Sequence, residues 1–129
     1  MSEDRGGGLS ELLKGFEEDT GIKSSAIVSR DGLVMASSLP RKTTGSDEDT
    51  VAANAARILF LGEATGKELV KGNLKEVLLN YEEGKVALAG AGPYAAVMAL
   101  IDPSARLETG AILFSIGALA RKVRKLLEG

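Results

Sequence analysis

The stretch Gly62-Glu63-Ala64-Thr65-Gly66-Lys67-Glu68 comes nearest, in this sequence, to a loop that would cradle a phosphate. Such a loop needs four residues between its glycines and a hydroxyl after its lysine to hold magnesium. Here the spacing is one residue short, and Glu68 stands in the place of the hydroxyl. The stretch also continues a helical pattern instead of following a strand, so no helix N-terminus is aimed at a phosphate. It reads as a helix that tolerates glycine. Gly90-Ala91-Gly92 is likewise a dinucleotide fingerprint without its third glycine, and a strand end running into a Pro93 turn accounts for it.

Carboxylates are the next candidates for chemistry. Glu17-Glu18, Asp47-Glu48-Asp49 and Glu82-Glu83 all fall at helix ends or turns, where solvated charge is expected. Nothing in their surroundings suggests an apolar pocket that would raise one pKa for acid–base work. The chain has no cysteine and no histidine, which excludes disulfides, a Cys–His dyad, a Ser-His-Asp triad and imidazole metal sites. No catalytic residue, cofactor site or metal site is therefore expected.

Sixteen basic residues against eighteen acidic ones leave a net charge of -2. That balance lacks the broad basic face that nucleic acid requires. Arg121, Lys122, Arg124 and Lys125 close a helical pattern, where cations match the helix dipole; they read as a solvated helix end rather than a membrane contact. The start carries no apolar signal segment, and the apolar run Ala111 to Ala120 is too short to span a bilayer. These features point to a soluble, cytoplasmic chain with a flexible glycine-rich tail over residues 1–8 and one domain over 9–129.

The elements follow from hydrophobic period and turn chemistry. Leu9, Leu12, Leu13 and Phe16 repeat at helical spacing and stop at Thr20-Gly21. Ser25–Ser29 and Leu33–Ser37 flank Arg30-Asp31-Gly32, a strong hairpin signal. After a loop from Leu39 to Ser46, Ser46 caps a helix whose acidic first turn suits its dipole and which runs to about Val70. Strands over Val77–Tyr81, Val86–Ala89 and Ala96–Ile101 come next, the last apolar on both faces and so covered on both. A helix within Leu107–Leu127 closes the chain on the seam Ile112, Ile116, Leu119, Val123 and Leu126. The fold class is α+β, in the order α-β-β-α-β-β-β-α, with an antiparallel sheet because tight turns join its strands.

The central helix is the most informative element. From Val51 to Leu61 only Asn54 and Arg57 are polar. A helix apolar on nearly all sides must be covered on more than one, by its own sheet and by a second protein. Asn54, Arg57 and Leu61 form a mixed stripe at spacings of three and four. Ala52, Ala53, Ala55 and Ala56 would let two such helices approach closely.

The ordered set of segments resembles the Roadblock/dynein light chain family over about residues 9–127. The resemblance rests on Ser29-Arg30-Asp31-Gly32-Leu33-Val34 followed by Ala36-Ser37 and Leu39-Pro40, on the Ala-rich helix Val51–Leu61, on Val77-Leu78-Leu79, and on Leu107-Glu108-Thr109-Gly110. Within that family it resembles the prokaryotic stand-alone members, such as the MglB-type proteins. The resemblance implies a five-stranded antiparallel sheet with one helix on one face and two on the other. It also implies a homodimer, with sheets joined edge to edge and central helices side by side as a platform for a small Ras-like GTPase. Val77, Leu79 and Tyr81 would then lie at the sheet junction, and Val51, Asn54, Ala55, Arg57, Ile58 and Leu61 at the helix interface or platform. Arg57 is not expected to act as an arginine finger; reordering of the GTPase's own switch residues is the better mechanism if hydrolysis is accelerated. Two other functions stay open: a structural dimerisation scaffold, and a profilin- or PAS-like ligand sensor with a cavity beside Ala87, Ala89, Gly90 and Ala91.

Overall fold

The computed structural model describes residues 2–39, 45–70 and 72–129. Its elements are helix α1 (Ser2–Thr20), strands β1 (Ser24–Ser29) and β2 (Val34–Ser37), helix α2 (Gly45–Leu69), strands β3 (Val77–Tyr81), β4 (Gly84–Ala91) and β5 (Ala95–Ile101), and helix α3 (Thr109–Glu128). The strands form one antiparallel sheet in the order β2-β1-β5-β4-β3. Fold class and element order are those expected from the sequence.

Strand alternation sorts the core into two layers. On one face Ile27, Ala87, Ala89, Val97 and Ala99 meet Leu9, Leu13 and Phe16 of α1 and Ile112, Ile116, Leu119 and Val123 of α3. On the other face Ala26, Val28, Leu88, Ala96 and Met98 meet Ala52, Ala55 and Leu59 of α2. Strand β5 contributes to both layers, which is why it has no polar face. Its alanines let helices sit close on either side, and each large side chain fully buried against them gives about 1.5–3 kcal/mol.

The β1–β2 hairpin closes through Leu33 O accepting from Ser29 N at 2.8 Å and Ser29 O accepting from Gly32 N at 3.0 Å. Gly32 adopts φ +89. A Cβ there would also stand 2.9 Å from the Ala53 Cα, so the turn packs directly on the backbone of α2.

Several local expectations change. Helix α1 starts at Ser2 rather than Leu9, running through the stretch read as a tail. Once Leu9, Leu13 and Phe16 dock, extending a helix costs far less than starting one. Gly8 then lies against Leu126 of α3, where a side chain would meet Leu126 Cδ2 at 2.9 Å. Helix α2 begins at Gly45, which places Ser46 inside it instead of at its cap. Most of the Leu39–Ser46 loop, residues 40–44, lies outside the described residues. Strand β4 is longer than Val86–Ala89 because the turn after Tyr81 is tight and Gly84 takes φ +146 as the strand starts.

Glu17 is not the free solvated charge its position suggests. Its Oε2 accepts from the hydroxyls of Ser25 and Ser38. Ser25 is completely buried, and its backbone N donates to Ser38 Oγ at 3.0 Å. This network ties α1 to the open end of the hairpin. On the opposite face Ser37 Oγ donates to Glu48 of α2 at 2.9 Å.

Candidate interaction surface

Helix α2 has one packed side and one open side. Ala52, Ala55 and Leu59 are buried on the sheet, and Val51 and Ile58 are half-buried beside them. Ala52 and Ala55 therefore bring α2 close to its own sheet rather than to a second helix, and Ala55 is absent from the open side. Ala53 sits under the Gly32 turn.

The open side carries Asn54, Arg57, Phe60 and Leu61, all exposed. Phe60 is 69% and Leu61 61% exposed, an unusual degree for large apolar side chains in mid-helix. By helical spacing Arg57, Phe60 and Ala64 share one row, and Asn54 and Leu61 share the adjacent one. Arg57 makes no ion pair or hydrogen bond among the described residues. Phe60 lies off the stripe of Asn54, Arg57 and Leu61 that the polar residues mark in the sequence. The three-residue step from Arg57 to Phe60 is the signal that identifies it.

The edge strand β3 stands next to this helix. Val77 and Leu79 are half-buried on the α2 face, Leu78 points to the opposite layer, and Tyr81 is 59% exposed at the strand's end. Gly62 permits close approach here, since a Cβ on it would meet Leu74 at 3.0 Å and Val77 at 3.8 Å. One edge of β3 pairs with β4, and no strand pairs with the other edge among the described residues. Of the positions expected from sequence, Asn54, Arg57 and Leu61 are exposed on α2 and Val77 lies close to the helix at Gly62, whereas Ala55 is buried and Tyr81 stands at the far end of β3, lining the groove described below.

Arg30 anchors the C-terminal half of α2 from beneath. Its Nη1 donates to Glu63 Oε1 at 3.1 Å and its Nε to Gly92 O at 3.2 Å. The guanidinium occupies the space above Gly90, where a Cβ would lie 2.4 Å from Nη2. No local sequence signal joins residues 33 apart, so this ion pair is legible only in the fold.

An open groove of about 1230 Å³ lies at the other end of the sheet, lined in part by Ile22, Lys23, Lys85, Leu100, Asp102 and Arg106. Ser104 donates to Asp102 Oδ1 through its backbone N and its hydroxyl, both at 2.9 Å. These bonds, with a smaller contribution from the Lys23 charge, hold the Asp102 pKa below its ordinary value. Ala87, Ala89 and Ala91, beside which a ligand-sensor cavity would lie, are packed against the α1–α3 layer, and the space at Gly90 holds Arg30. Among the described residues no cluster of three or more Asp or Glu is placed to hold a metal, and no helix is long and apolar enough to cross a membrane.

Comparison with known proteins supports this architecture. Residues 9–102 match the model of the Roadblock/LC7 domain. An uncharacterized protein of Methanocaldococcus jannaschii is 30% identical over 118 residues, covering 92% of this chain and 98% of its own. A solved MglB with tetrameric arrangement superposes with a TM-score of 0.82 at 21% identity, covering 96% of this chain and 90% of that one. Myxococcus xanthus MglB superposes with a TM-score of 0.79 at 14% identity, covering 93% and 94%. At these identities the superpositions speak for the fold.

Proposed function

Because this chain belongs to the Roadblock/LC7 domain family, we propose that it is a non-catalytic, homodimeric regulator or adaptor that binds a small Ras-like GTPase through paired α2 helices. The observation that carries this reading is the open side of α2, where Phe60 and Leu61 stand exposed beside Arg57, which has no ion-pair partner among the described residues. Leaving two large apolar side chains in water on a well-packed helix marks an interaction surface. Aromatic and arginine residues together are the side chains that most often dominate binding energy.

The two rows divide the work. Leu61 and Asn54, with Val77, Leu79 and Tyr81 of the free edge strand, serve the contact between copies. Arg57 and Phe60 face the GTPase. Val51 and Ile58 hold the helix at the correct height, and Ala55 supports it from the sheet side. Any acceleration of hydrolysis comes from ordering the GTPase's own switch residues. The tetrameric MglB relative supports assembly beyond one chain.

The test is affinity capture with the full chain from its source lysate, in parallel with a GTP analogue and with GDP, with recovered proteins identified. Recovery of a Ras-like GTPase in one nucleotide state is the expected result. Equal recovery in both states makes the chain a constitutive scaffold. Recovery in neither overturns the proposal. Sedimentation equilibrium measures the homodimer separately.

A further inference from the structure

Helix α3 has an outer face that neither the core nor the α2–β3 region uses. Phe114 is 74% exposed on it. Arg121, Lys122 and Lys125 are exposed along the same side, two to three turns further on. Arg121 folds back over Gly117, its Nη1 lying 3.6 Å from the place of a Cβ there. Arg124 is tied to Glu128 at 3.0 Å, but Arg121, Lys122 and Lys125 have no such partner among the described residues. Glu128 is the only acidic residue within the helix.

From the sequence the basic run reads as a solvated helix end. The structure adds the exposed aromatic on the same side, and it adds a location. Helix α3 packs over β4 and β5, beside the free edge strand β3, whereas α1, with exposed Glu11 and Glu18, packs over β1 and β2. In the edge-to-edge dimer proposed above, on which this step rests, the two α3 helices flank the junction and the acids of α1 lie outside. The cations and both copies of Phe114 then share one face, opposite the α2 helices.

We infer that this α3 face docks on an anionic lipid surface. Phe114 enters the boundary between headgroups and acyl chains, and Arg121, Lys122 and Lys125 lie over the headgroups. A lipid surface fits better than an acidic protein because Phe114 stands as a single wedge among small residues (Ala111, Gly117 and Ala118) rather than as part of an apolar rim. A fluid interface accepts a wedge without a matching pocket. The location leaves the α2 side free to bind its partner while the protein is on the membrane.

The test is co-sedimentation of the full chain with phosphatidylcholine vesicles, with and without about one third phosphatidylglycerol, at low and physiological salt. Binding to the phosphatidylglycerol vesicles alone, weakened by salt, is expected. The combined Arg121→Glu, Lys122→Glu and Lys125→Glu variant should bind at least about tenfold more weakly, and Phe114→Ser severalfold more weakly. Circular dichroism checks that both variants keep the fold. No binding to anionic vesicles, or equal binding by the charge-reversed variant, overturns the inference. Retention on a polyglutamate resin without vesicle binding overturns it in favour of an acidic protein. A chain that sediments as a monomer yet binds anionic vesicles through these residues removes the dimer reading and leaves the lipid contact established.

Discussion

Arg30 and Glu63 meet at 3.1 Å between the sheet and α2, joining the end of β1 to the helix one turn beyond Phe60. The pair is partly exposed, at 26% and 40% for the two side chains, so its own coupling is modest, about 0.5–1 kcal/mol. Arg30→Ala also removes the bond to Gly92 O and should cost about 1–2 kcal/mol in all. Gly90→Ala displaces the same guanidinium and should cost a similar amount alone but little in the Arg30→Ala background. Urea denaturation of the four proteins measures this; additive losses would show that Gly90 does not serve Arg30.

Gly32→Ala should be more severe. The new Cβ strains a φ of +89 and meets the α2 backbone at 2.9 Å, and backbone cannot step aside as a guanidinium can. A loss of about 2–4 kcal/mol is expected from strain and overpacking together. A thermal midpoint within a degree or two of the parent would refute the close packing of the hairpin on α2.

On the open side of α2, stability and binding should separate. Phe60→Ser and Arg57→Glu should leave unfolding free energy within about 0.5 kcal/mol of the parent, since both side chains are exposed. Each should weaken capture of the proposed GTPase while leaving the proposed dimer intact. Leu61→Glu and Tyr81→Lys should instead shift the sedimentation equilibrium toward monomer. Loss of the dimer in Arg57→Glu would reverse the roles assigned to the two rows.

Replacing Glu17 by Ala leaves the buried hydroxyl of Ser25 without its acceptor and should cost about 1–3 kcal/mol. The companion Glu18→Ala, on an exposed neighbour, should cost almost nothing. Equal effects in chemical denaturation would contradict the network.

Asp102 adds a pH dependence whose sign follows from its bonds to Ser104. Its pKa is lower folded than unfolded, so its contribution is complete above the ordinary aspartate value of about 3.9. The contribution fades as pH falls from there through the lowered folded value. Asp102→Asn should flatten the acid limb of the stability profile and leave no residual dependence on this group.

The hairpin was readable because Asp31-Gly32 states its turn type locally, and β5 because an unbroken apolar run can only lie between two layers. The start of α1 was not readable: three consecutive glycines lower helix propensity, and only docking of the later turns on α3 offsets them. Glu17 and Arg30 were illegible for one reason, since their partners lie on other elements that only the folded packing brings to them. Asn54, Arg57 and Leu61 emerged from spacing, but the same spacing also holds Phe60, and reading polar residues first concealed it. The basic run of α3 was visible as charge; its location beside the edge strand needed the fold.

The sheet has two margins, and their difference limits growth. An array joined through β3 would carry β2 at both of its ends. That strand is only four residues long, and its pairing with β1 slips in register between Ile27 and Val28. A short, irregular margin is a poor template for adding another strand. If copies join through β3 as proposed, this margin stops growth after one pairing, so that concentrating the protein should give a closed assembly and not a fibril.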